Sequence, residues 1–99
     1  MTSGEVGPSP RFGGAVLTAH ALDSIRDRGI PVDAVRAVLA QPDEWWEVRP
    51  GRVVCHGIVE WGGKKRLLRV FVDPDPPPGR LVTAYVTSKI EKYRREPLR

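Results

Sequence analysis

The 99-residue chain has a single cysteine, Cys55. That excludes an intramolecular disulfide and a thiolate metal cluster, and it fits a reducing compartment. No apolar stretch approaches the ~20 residues a membrane-spanning helix needs. The opening Met1-Thr2-Ser3-Gly4-Glu5 lacks a basic segment followed by an apolar run, so no secretory leader is expected. These absences together point to a cytoplasmic location. A phosphate-binding glycine loop, a Walker motif, H-E-x-x-H and G-x-S-x-G are missing as well. The carboxylates fall mostly on helix surfaces, and no His, Cys or Asp grouping has metal-ligand spacing. Neither a metal nor a cofactor is therefore expected.

The length allows one domain with one core, burying roughly two-thirds of its unfolded surface. Residues 1–14 are rich in Gly, Pro and Ser and nearly devoid of apolar side chains. Such a segment buries too little to offset its ordering entropy, so it reads as a disordered tail before a single domain, 15–99.

The charge is unevenly placed. Residues 1–48 carry four Lys/Arg against seven Asp/Glu, whereas residues 49–99 carry twelve against five. A basic half-surface favours an anionic partner, either RNA, DNA or an acidic antitoxin-like protein. Solvation of strands and of a terminal helix would account for the same charges.

Thr18 can cap a helix from Ala19 to Arg28, with Ala21, Leu22 and Ile25 on one face, and Gly29 can end it. A second helix opens at Pro31 or Val32, shows a stripe of Val32, Val35, Val38 and Leu39, and stops at Gln41-Pro42-Asp43. Four strands are expected over Glu44–Arg49, Val53–Trp61, Arg66–Asp73 and Leu81–Thr87. Arg49-Pro50-Gly51-Arg52 and Gly62-Gly63 supply tight turns, and Pro74 to Gly79 a longer, stiff connection. Ser88 can cap a last helix running to about Arg95. The expected fold is α+β: a helical hairpin, a four-stranded antiparallel meander and a short C-terminal helix, with the helices on one sheet face.

The Gly62-Gly63 loop sets a register in which Cys55 faces Val70, His56 faces Arg69 and Ile58 faces Leu67. The helices should then cover the Cys55, Val70, Val82 and Ala84 face. The other face should show an apolar rim around His56, Arg69, Thr83 and Tyr85.

Candidate chemistry follows from these placements. His20 lies on a helix stripe with Ser24 and Arg28, a titratable group beside a phosphate-binding cation. Alternatively it covers a helix end while Arg26 and Arg28 pair with Asp23 and Asp27. His56 opposite Arg69 joins a proton-transfer group to a guanidinium that could hold a phosphate and keep the imidazole neutral; a routine cross-strand pair is the alternative. Lys89, Lys92, Tyr93, Arg94 and Arg95 form the densest basic cluster, which could equally be an ordinary basic helix end. Metal-free RNA cleavage needs a base for the 2′-OH, a cation for the phosphorane and an acid for the leaving oxygen, and Lys, Arg, Tyr and His suffice. The candidate catalytic set is His20, His56, Arg69, Tyr85, Lys89 and Tyr93. The candidate nucleic-acid contacts are Arg28, Arg49, Arg52, Lys92, Arg94 and Arg95. Trp45-Trp46 could stack on bases, or place one ring in the core and one at its edge.

The runs Leu17-Thr18-Ala19-His20-Ala21, Arg26-Asp27-Arg28-Gly29-Ile30 and Leu39-Ala40-Gln41-Pro42-Asp43 resemble the 4258 family of domains of unknown function. So do Leu68-Arg69-Val70 and Val82-Thr83-Ala84-Tyr85 leading into Thr87-Ser88-Lys89-Ile90, so the resemblance covers about residues 16–94. That family is similar in turn to BrnT-type and RelE-like toxins. The resemblance implies a compact sheet with two leading helices, metal-independent RNA cleavage, and neutralisation by a cognate antitoxin. Its family-like positions are His20, Arg28, Arg69, Tyr85, Lys89 and Tyr93. One departure is the connection from Pro74 to Gly79, which reads as an insertion that alters substrate access. The expected function is a toxin-like, metal-independent ribonuclease. A non-catalytic module binding nucleic acid or a partner through the same basic face is the alternative, and a protein-interaction domain whose apolar sheet face around Ile58, Leu67 and Phe71 pairs with itself, as a homodimer, or with a partner is a third.

Overall fold

A computed structural model of the chain describes residues 12–95. It contains α1 (Ala19–Asp27), α2 (Val32–Ala40), β1 (Glu44–Arg49), β2 (Arg52–Trp61), β3 (Lys64–Asp73), β4 (Arg80–Thr87) and α3 (Ile90–Tyr93). The four strands form one antiparallel sheet in sequence order, the expected α+β meander. None of its helices is long and apolar enough to cross a membrane.

Local chemistry sets the helix ends. The Thr18 hydroxyl accepts from the Ala21 N–H at 3.2 Å, satisfying one donor of the first turn. At the other end Gly29 adopts φ +70°. Its N–H donates to Arg26 and the Ile30 N–H to Ile25, the paired bonds that close a helix through a left-handed residue. The last helix is shorter than expected. Lys89, not Ser88, caps it, and no side chain bonds its first turn.

Both helices pack on one sheet face. Ala21, Ile25, Val35, Val38 and Leu39 meet Val53, Cys55, Leu68, Val70, Val72, Leu81 and Ala84 in the main core. Gly57 sits where α2 approaches most closely: a Cβ there would lie 2.5 Å from Val38 Cγ2. Burial pushes the Cys55 thiol up to about 12, so it is an inert core atom.

Three expectations need correction. The tail does not extend to Gly14. Phe12 is buried in the core, and Arg36 donates to the carbonyls of Gly13 and Ala15; residues 1–11 lie outside the described residues. Within β4 the register shifts between its pairings with Phe71 and Val72, so Val82 is an extra residue. Leu81 therefore enters the core in place of Val82. Finally, Leu67 is no part of an exposed rim: it is fully buried, as is Val54 on the other side of the His56–Arg69 pair, on the face away from α1 and α2.

Candidate functional site

The β2–β3 hairpin has the register its Gly62-Gly63 loop demands. His56 faces Arg69, and Arg69 faces Tyr85 on the next strand. All three side chains therefore project from the sheet face that α1 and α2 leave uncovered. They are joined there. Arg69 Nε donates to His56 Nε2 at 3.0 Å, and Arg69 Nη1 donates to the Tyr85 hydroxyl at 2.5 Å.

Sequence reasoning missed the fourth member. Glu44 Oε2 lies 2.7 Å from His56 Nδ1, with both side chains buried. Because a guanidinium only donates, His56 Nε2 must accept. The imidazole proton then sits on Nδ1 and points at the carboxylate. Burial holds His56 below its ordinary pKa; the Glu44 hydrogen bond opposes this and the Arg69 charge adds to it. The result is a neutral histidine between an anion and a cation, with both ring nitrogens engaged.

A C-terminal strap covers this network. The Arg95 N–H donates to both Glu44 oxygens at 3.2 Å, and its guanidinium lies 4.0 Å from the centre of the Trp46 ring. Trp46 stands edge-on to His56 at 4.9 Å. The Tyr93 ring lies 4.2 Å from the Arg69 guanidinium carbon, with Phe71 and Tyr85 further out at 5.2 and 5.6 Å. Arg94, whose side chain is 8% exposed, reaches Asp43 at 3.5 Å. Of the basic C-terminal cluster, Arg95 thus fastens the strap to β1 and Arg94 to Asp43 just before it, while Lys92 stays exposed 5.3 Å from the Tyr93 ring.

The strap stops short of the other end of the same face. There Val48, Arg49, Arg52, Phe71, Val82, Thr83 and Tyr85 line an open cleft of about 370 Å³. Phe71 and Tyr85 form its floor with rings stacked 6.1 Å apart at 21°. Arg52 donates through Nε and Nη2 to Asp73 at 2.8 and 2.9 Å. Those hydrogen bonds, with the Arg52, Arg80 and Arg49 charges, hold the Asp73 carboxyl below its usual range. Three guanidiniums therefore surround one carboxylate at this end of the sheet, a local excess of positive charge beside an aromatic floor.

The other expected residues lie apart. His20 is exposed on α1, in the layer across the sheet from His56. Lys89 is exposed, and its N–H donates to the Thr87 hydroxyl. Arg28 Nη1 bonds Ser24, Thr83 and the Ala84 carbonyl, tying α1 to β4. Thr83 is thus engaged by Arg28 rather than by His56 and Arg69. Trp45 packs edge-on against Phe12 at 5.0 Å while remaining 40% exposed. Among the described residues no group of three or more His, Cys, Asp or Glu could hold a metal ion.

The signal for Glu44 was a bulge. A two-residue Pro50-Gly51 turn alone would pair Glu44 with Gly57 and send it to the helix face. The register shift between Glu47 and Arg49 moves it opposite His56.

The family model of the Domain of unknown function (DUF4258) matches residues 17–86, and the chain belongs to that family. No curated protein and no solved structure matches it.

Proposed function

We propose that this protein is an RNA-directed module of toxin type that takes single-stranded RNA into the cleft between Arg49 and Tyr85. The observation that carries the reading is the stacked Phe71–Tyr85 floor flanked by Arg49 and Arg52. Aromatic rings accept any base on their faces, and guanidiniums hold the phosphates between bases. Each stacked base contributes about 1–3 kcal/mol in systems of this kind. The uneven charge of the chain supports the same partner.

Metal-independent cleavage of the bound RNA is the finer reading, and the resemblance to BrnT and RelE-like ribonucleases motivates it. One geometric feature favours it: the Tyr85 hydroxyl, at the cleft, accepts from Arg69. A guanidinium there stabilises charge on a phosphorane beside Tyr85. His56 is poorly disposed to act as the base, since Arg69 occupies its acceptor nitrogen and the strap covers it. Tyr85 with Arg69 is the pair that would perform the chemistry.

Fluorescently labelled single-stranded RNA, titrated with the full chain in EDTA, tests both readings. Binding should weaken linearly in log salt, and Phe71→Ala should weaken it about tenfold, in line with the loss of one stacked base. Cleavage products that vanish in Tyr85→Phe while affinity persists would establish the ribonuclease. Undiminished affinity in Phe71→Ala and in Arg49→Glu would remove the cleft from the reading.

A further inference from the structure

A second cleft lies around the β4 edge from the first. It encloses about 360 Å³, and Arg28, Ile30, Trp61, Arg66, Tyr85 and Val86 line it. Two guanidiniums share this space with aromatic and aliphatic side chains. No carboxylate is among its lining residues.

The two arginines differ in how they are held. Arg28 follows α1 and is fixed by three hydrogen bonds through one nitrogen, to Ser24 at 2.6 Å, Thr83 at 3.0 Å and the Ala84 carbonyl at 3.3 Å. Its guanidinium is therefore pre-positioned across the gap between helix and sheet. Arg66 lies opposite Val59 near the Gly62-Gly63 turn, and its Nε–H is buried without a hydrogen-bond partner. A buried donor in that state is costly and rare, and an anion accepting from it is one way to satisfy it. The guanidinium fork presents Nε–H and an Nη–H in parallel, the spacing that two oxygens of one phosphate match.

We infer that the Arg28–Arg66 cleft is a phosphate-binding site, in which Arg66 Nε–H donates to a phosphate oxygen and Trp61 flanks the attached ring. The assignment stands on the orphaned donor and the cleft lining, and it does not require RNA to occupy the first cleft. Two sources share the ligand chemistry. A mononucleotide could fill the site alone, or a strand lying in the first cleft could pass over β4, where Tyr85 lines both spaces.

The test is the Nε–Hε resonance of Arg66 in the ¹⁵N-labelled full chain, titrated with inorganic phosphate, adenosine monophosphate and a short oligoribonucleotide. Arg69 Nε–Hε, already bonded to His56, serves as the internal reference. The Arg66 signal should shift on saturation while that of Arg69 stays. Arg66→Lys, which keeps the charge and loses the Nε–H fork, should bind at least tenfold more weakly with its spectrum otherwise preserved. A shift with the monophosphate that persists in Phe71→Ala identifies a mononucleotide site. A shift only with the oligoribonucleotide, lost in Phe71→Ala, identifies a backbone phosphate. No shift with any of the three probes, or equal affinity in Arg66→Lys, overturns the assignment.

Discussion

The two faces of the sheet bury their residues by different means. On the helix face, Leu68, Val70, Val72 and Leu81 meet the apolar stripes of α1 and α2, and the buried atoms are almost all carbon. On the other face, Val54 and Leu67 are equally buried, but beside a charged network of Glu44, His56 and Arg69. The cover there is one helical turn and a short extension, held by hydrogen bonds and ring contacts. The first face depends on shape and area. The second depends on every donor having its acceptor, so it is the more sensitive to the loss of a single polar group.

The largest effect should come from the helix face. Leu68→Ala removes a fully buried side chain that no neighbour can replace, and should lower stability by about 2–5 kcal/mol. Chemical denaturation with an unchanged m-value would measure it. A smaller loss would mean that the helices slide inward and that the packing is loose.

Glu44→Ala probes the second face. It leaves the His56 Nδ1–H and the Arg95 N–H without their acceptor, at about 1–3 kcal/mol for a buried orphaned donor. Faster amide exchange at residues 90–95 should accompany the loss, because the strap is anchored on that carboxylate. Unchanged exchange would show that Tyr93 and Trp46 hold the strap without Glu44.

Acid should separate the faces again. His56 titrates below its ordinary value in the folded chain, so folding favours the neutral ring. The unfolded chain binds a proton near pH 6.5, and the folded chain binds it only at lower pH. The stability from this group is therefore fully present above about pH 6.5 and is lost as pH falls toward the folded value. His56→Gln should flatten that part of the stability curve. An equal slope in the variant would place the acid sensitivity elsewhere.

The smallest effect belongs to the cleft rim. Arg52→Ala breaks a partly buried pair with Asp73 at the sheet's end and should cost about 1 kcal/mol. The same variant should weaken RNA binding and reduce its salt slope by about one. A large stability loss would mark Arg52 as a structural residue rather than a binding one.

Much of this was legible in the residues. Thr18 and Gly29 bound α1, and Gly62-Gly63 sets the pairing of His56 with Arg69, because capping and tight turns are decided within a few residues. The cluster of His56, Arg69 and Tyr85 follows from that register. Glu44 and the strap did not follow. Arg94 and Arg95 read as nucleic-acid contacts because a basic helix end has the same composition whether it docks or faces solvent.

The order of elements, the α+β class and the central hairpin were therefore determined by the sequence alone, through local rules acting over short spans. The tertiary structure decided what the second sheet face became. Two one-residue bulges, at Val48 and Val82, turn Glu44 toward His56 and exchange Leu81 for Val82 in the core. Both are ordinary valines in ordinary strands, so nothing local announces the slip. A shift of one residue reverses every side chain beyond it, and which register wins depends on the burial gained across the whole sheet.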